Sequence, residues 1–236
     1  MPKASIALLI LIGLLQLSIS CSKNTKADIN LDISTSQDMS VNEIIVHSIT
    51  SMDNVESFSF KLTHKDESGT FIDGLLLTDA SGHVTASNDL QIETNMLFGN
   101  LFVKSGIIKL GNKSFILNPL TDTWLESDSD SSPFGFFDPK SGLNTMLKDV
   151  ENLQLESSNN AWYEIVGNIS AQSLADIVGS TTKNNVTIMF HINKDDFRVS
   201  KVEVIGKLTQ DDKEDITRTI KISDFDETQE IHDPNS

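Results

Sequence analysis

Ser180, Thr181, Thr182 and Lys183 have the Ser-x-x-Lys spacing that pairs a nucleophilic hydroxyl with a lysine in acyl-enzyme chemistry. The companion Ser-Asp-Asn and Lys-Thr-Gly motifs do not occur in the chain, so the stretch predicts a loop. Asp128 and Asp130 begin as a calcium loop would, but Pro133 and Pro139 occupy the positions that require a glycine and a bidentate glutamate. His47, His64, His83, His191 and His232 are scattered without metal-ligand spacing, and no Gly-rich phosphate loop or nucleophile elbow is present. The reading is therefore of a protein that is not an enzyme and holds no metal or cofactor. What remains is one reactive thiol, Cys21, the only cysteine.

The residues before Cys21 tell what that thiol is for. Lys3 supplies a positive start, Ala4 to Leu15 an apolar run of secretory length, and Ser20 a small residue immediately before the cysteine. The run is too short to span a bilayer comfortably. The arrangement resembles the bacterial lipoprotein signal, with Leu17 one position further from the cysteine than is usual and Ser18 in its place. That resemblance implies a leader at 1–20, removed before Cys21, and a diacylglyceryl group on the thiol. It also implies a chain held on the extracytoplasmic face of the cell membrane by an N-terminal acyl anchor.

Loss of the leader removes Lys3 and no acidic residue, so the exported chain is one unit more negative than the −16 of the full sequence. Such a charge disfavours nucleic acid and anionic headgroups. Membrane contact must then come from acyl chains rather than a basic patch. Residues 21–39 lack apolar periodicity and are rich in Ser, Asn, Asp and Thr, which predicts a flexible tether. The folded domain is expected over 40–226, with a loose tail at 227–236.

Ser40 and Glu43 have capping-box spacing, and Val41, Ile44, Ile45, Ser48, Ile49 and Met52 recur on one helical face. From Phe58 the period becomes two, with strand-like runs at 71–77, 83–93, 97–103, 107–110 and 114–117, punctuated by Gly69, Gly82, Gly106 and Gly111 as turns and ending at Trp124. A second helix is predicted after Pro139, on Leu143, Met146, Leu147 and Val150. A strand follows at 162–166, then a short helix at 171–178 and strands at 186–192, 199–208 and 216–222. Short strands and tight turns favour antiparallel connections. The predicted class is α+β: one strongly curved antiparallel sheet, a half-barrel, with a few helices packed in its concave face and an apolar cavity enclosed between them.

The ordered segments Trp124, Phe136-Phe137-Asp138-Pro139-Lys140-Ser141-Gly142-Leu143, Met146-Leu147, Trp162 to Gly167 and Ile169-Ser170-Ala171 with Leu174 resemble the mycobacterial LppX/LprG lipoprotein family. The resemblance runs from about Val41 to Ile222. It implies a half-barrel similar to the carriers LolA and LolB, whose cavity takes acyl chains of a lipid or glycolipid, and a non-catalytic carrier working with an envelope transporter. Candidate strand lining is Leu75, Leu77, Leu90, Ile92, Met96, Phe98, Leu101, Val103, Phe115 and Leu117. Phe136, Phe137, Leu143, Met146 and Leu147 are placed at or near the mouth. Each is equally compatible with ordinary core packing. An adaptor that binds a protein partner through its acidic surface is the alternative reading, and the acidic run at Asp211, Asp212, Glu214 and Asp215 is expected to be a solvated turn.

Overall fold

Ser40 opens the first helix as its spacing predicts. Its hydroxyl accepts from the Glu43 N–H at 3.3 Å while the Glu43 carboxylate accepts from the Ser40 N–H at 2.8 Å, which satisfies two otherwise orphan donors. Helix α1 (Val41–Asp53) then buries Ile44, Ile45, Ser48 and Met52. The structure is a computed structural model that describes residues 39–72, 74–128, 138–179 and 181–236. The leader, Cys21, the tether up to residue 38 and the pair Phe136 and Phe137 lie outside the described residues.

After α1 come β1 (Phe58–His64), β2 (Thr70–Ile72), β3 (Leu75–Val84), β4 (Leu90–Phe98), β5 (Leu101–Leu110), β6 (Lys113–Asn118) and β7 (Thr123–Asp128). Helix α2 (Pro139–Asp149) begins on Asp138, whose carboxylate accepts from the Ser141 N–H at 3.0 Å, with Pro139 at the first helical position. Strands β8 (Glu151–Ser158) and β9 (Trp162–Ser170), a 3-10 turn at Ala171–Leu174, and helix α3 (Ala175–Val178) follow. The described chain closes with β10 (Asn185–Asn193), β11 (Val199–Ile205) and β12 (Thr217–Ser223).

Among the described residues these strands form one 12-stranded sheet in the order β7-β6-β5-β4-β3-β1-β12-β11-β10-β9-β8, with β2 pairing β3. The pairings are antiparallel, and β7 and β8 stand at opposite ends, so the sheet is open. Two meanders are joined through β1, which pairs with β3 on one side and with β12 on the other. The helices occupy one face. Ile44, Met52, Leu143, Met146 and Leu174 share a buried core with Phe58, Ile92, Ile165, Ile188 and Phe190 of the strands, giving the half-barrel with helices in its concavity.

Three expectations are corrected by the backbone. Gly82 and Gly106 lie within strands: a Cβ on Gly82 would stand 2.2 Å from the Gln91 carbonyl oxygen, and one on Gly106 would stand 2.9 Å from the Trp124 ring. These glycines permit close approach rather than turning the chain. Gly82→Ala is therefore expected to lower stability by about 1–3 kcal/mol, as overpacking does, read as a lower urea midpoint. The runs 71–77, 83–93 and 97–103 each cross a hairpin connection, because apolar strand ends abut across short turns such as Gly99 at φ +60. Strand β8 is absent from the sequence reading. It is an edge strand, exposed at nearly every position and interrupted in register twice, and Leu153 and Leu155 are its only apolar residues, too short an alternation to mark a strand.

Candidate functional site

Between the concave face and the helices lies a cavity of about 120 Å³. The strands contribute Phe58, Phe60, Leu62, Ile72, Leu75, Leu77, Ala80, Ile92, Met96, Ile107, Val204 and Ile220; the helical side contributes Pro139, Leu143, Met146, Leu174, Ile177 and Val178. Polar lining is confined to Thr70, Thr94, Ser105 and Arg218. Two of these are spoken for by backbone: the Ser105 hydroxyl donates to the Leu117 carbonyl at 2.8 Å and the Thr94 hydroxyl to the Ser105 carbonyl at 3.2 Å. The wall is thus hydrocarbon almost throughout, suited to burying apolar chains.

Of the residues nominated from sequence, Leu75, Leu77, Ile92, Met96, Leu143 and Met146 line this cavity. Leu90 and Leu147 are buried in the surrounding core without reaching it. Phe115 is also fully buried, but it pairs in register with Ile108, whose side chain alternates away from the cavity-lining Ile107, so strand parity puts it on the other face. Leu117 and Val103 are partly buried and lie off the cavity. Phe98 and Leu101 are 64% and 56% exposed at the tip of the β4–β5 hairpin.

The sequence reading missed Arg218. It lies on the same strand phase as Ile220 and Ile222, a charged residue on the apolar face, and that phase was the available signal. Its guanidinium donates to the Asp212 carboxylate, to the Thr70 hydroxyl at 2.6 Å and to the Gly206 carbonyl at 2.9 Å. Asp212 in turn accepts from the Leu208 and Thr209 N–H groups, both at 2.9 Å. The ion pair is sealed, with side-chain exposures of 3% and 0%, so the expectation of a solvated turn at Asp212 is overturned: its neighbours are charged in sequence, but its own carboxylate closes the β11–β12 connection. Burial lowers the Arg218 pKa while Asp212 opposes that shift.

The network continues through Thr70 to His64, whose Nε2 lies 2.8 Å from the Thr70 hydroxyl and whose Nδ1 lies 2.7 Å from the Thr78 carbonyl. A carbonyl accepts only, so Nδ1 carries the proton of the neutral ring and Nε2 accepts from Thr70. Burial, aided by the nearby Arg218 charge, holds the His64 pKa below the ordinary histidine range against the opposing Thr78 bond. The unfolded chain therefore binds a proton more readily than the folded one. Stability rises with pH in that window and is lost as pH falls below about 6.5. Burial pushes His83 and His191 the same way. The urea midpoint is expected to drop on acidification from about pH 7 to pH 5, and His64→Gln to make that slope shallower, leaving the share of the other two histidines.

The sequence profile of the LppX_LprAFG lipoprotein family matches residues 40–231. The chain belongs to this family. No curated protein matches it. Among solved structures, LprF from Mycobacterium bovis superposes with a TM-score of 0.62 at 13% identity, covering 82% of this chain and 96% of that one. The Mycobacterium tuberculosis lipoprotein LppX gives a TM-score of 0.56 at 17% identity, covering 81% and 98%. At these identities the likeness establishes the fold. A LolA superfamily protein from Nitrosomonas europaea aligns over 79% of this chain with a TM-score of only 0.25, too low to indicate a shared fold. Membership places the LppX_LprAFG chain among lipoproteins rather than enzymes. Among the described residues no helix is long and apolar enough to cross a membrane, and no cluster of His, Cys, Asp or Glu is arranged to hold a metal ion.

Proposed function

We propose that this protein is a membrane-anchored lipoprotein that takes acyl chains of a lipid or glycolipid into the cavity and carries or presents them in the cell envelope without catalysis. The observation that carries the reading is the cavity wall itself, hydrocarbon on both the sheet and helix sides in a chain of a lipoprotein family. Each methylene moved from water into such a wall gains roughly 0.8 kcal/mol, so affinity needs no reactive group. At about 120 Å³ the cavity is smaller than the roughly 300–1,000 Å³ of drug-sized sites. A whole chain therefore enters as the helices yield, and the pliable Met146 on α2 is the side chain best suited to repack around it.

In the same reading residues 1–20 are the leader, Cys21 is the acylated residue on the extracytoplasmic face of the cell membrane, 21–39 is the tether, and an envelope transporter is the partner. Radiolabelled palmitate fed to expressing cells should enter the protein and be lost with Cys21→Ser. Native mass spectrometry of the purified protein should reveal a bound lipid released by organic solvent. A protein that emerges lipid-free and takes up no acyl ligand would sink the carrier reading.

A further inference from the structure

The two ends of the N-terminal meander differ in chemistry. The β3–β4 connection, Thr85 to Asp89, and the β5–β6 connection at Gly111 and Asn112 are polar. At the opposite end the β4–β5 hairpin runs Met96-Leu97-Phe98-Gly99-Asn100-Leu101-Phe102-Val103 without a charged side chain, in a chain that is 22% charged. Phe98, Leu101 and Phe102 are 64%, 56% and 55% exposed there, and Leu120 of the β6–β7 turn at the same end is 82% exposed.

The register shows that both faces of this hairpin are apolar. On one face the pairs Met96–Val103 and Phe98–Leu101 continue the track of Ile92–Ile107 and Thr94–Ser105, four residues of which, with Met96, line the cavity. On the other face Phe71 pairs with Leu76, Leu76 with Leu97, and Leu97 with Phe102. Exposed apolar patches mark contact sites, and a hairpin tip with exposed apolar side chains on both faces fits a medium that surrounds it. The uncharged tip on a strongly acidic protein also excludes attraction to anionic headgroups as the driving force.

We propose that the β4–β5 hairpin is a membrane-dipping tip that enters the interface of a lipid bilayer and joins the bilayer hydrocarbon to the cavity wall along the Phe98–Leu101 to Ile92–Ile107 track. Docking itself stands on the hairpin; the passage of chains along the track rests on the carrier reading above.

The full chain, acylated and reconstituted in phosphatidylcholine vesicles, provides the test. Because Cys21 is the only native cysteine, Leu101→Cys or Asn112→Cys accepts a nitrobenzoxadiazole label specifically once Cys21 is acylated. Phosphatidylcholine carrying doxyl groups on its chains should quench the label at Leu101→Cys and leave the label at Asn112→Cys unquenched, to the same extent at low and high salt and no more strongly when phosphatidylglycerol is added. Equal quenching at the two positions, or quenching that appears only with anionic lipid, overturns the docking proposal. A second measurement follows pyrene-labelled phosphatidylcholine moving between vesicle populations. The Phe98→Ser/Leu101→Ser/Phe102→Ser variant should slow protein-dependent transfer at least about tenfold, since it removes large apolar surface from the tip. Its exposed positions leave the fold intact, checked by an unchanged urea midpoint. Tip quenching with no transfer by the unaltered protein would retain docking and overturn the carrier reading together with the track.

Discussion

Asp212→Ala is expected to cost about 3–5 kcal/mol of folding stability, the usual penalty for leaving one partner of a buried ion pair alone. Both side chains are sealed from solvent, and the substitution strands the Arg218 charge while freeing the Leu208 and Thr209 N–H groups from their acceptor. Equilibrium urea unfolding checks the value. Asp212→Leu combined with Arg218→Met should recover most of the loss, because a hydrophobic replacement of the whole pair escapes the desolvation penalty that burdens either half. A single substitution costing under about 1 kcal/mol would show that water reaches the pair and that it behaves as a surface contact.

The second large effect sets stability against binding. Ala80 is buried and lines the cavity, so Ala80→Phe puts a ring into space that an acyl chain would occupy. Excluding about four methylenes at roughly 0.8 kcal/mol each removes on the order of 3 kcal/mol of affinity, above a hundredfold. Filling an apolar void meanwhile leaves stability unchanged or raises it slightly. Displacement of a fluorescent acyl probe, measured beside the thermal midpoint, separates the two. Binding that survives in a variant of undiminished stability would place the acyl site outside this cavity.

How much of this was legible depends on the reach of the signal. The Ser40–Glu43 cap and the Asp138–Pro139 helix start are local arrangements, and spacing alone predicts them. The hairpin boundaries in the N-terminal meander are not local in that sense: Gly82 and Gly106 look like turns until the neighbouring strand and the Trp124 ring come close enough to require them. Period-two alternation marks most of the strands but neither their ends nor which face meets the helices, so it groups Phe115 with the cavity-lining residues although its register partner Ile108 faces away from Ile107. Asp212 shows the converse. Its acidic neighbours suggest solvent, and only Arg218, distant enough to belong to the next strand, makes that position a buried one. The polar lining of a folded cavity is set by such pairings between separate elements, which composition does not record.

The position of β1 bears on how the molecule can assemble. Its two neighbours are β3, made soon after it, and β12, made last, and the Ser57 hydroxyl donates to the Glu227 carbonyl across 170 residues of chain. The half-barrel has no seam until its carboxyl-terminal strand arrives. Before that, β1 offers an open edge that invites wrong pairing, and contacts this far apart in sequence make closure slow. If the leader proposed at 1–20 directs export amino end first, the delay is useful. The chain would then stay threadable during transit, and the cavity would first exist on the side of the membrane where the last strand is delivered.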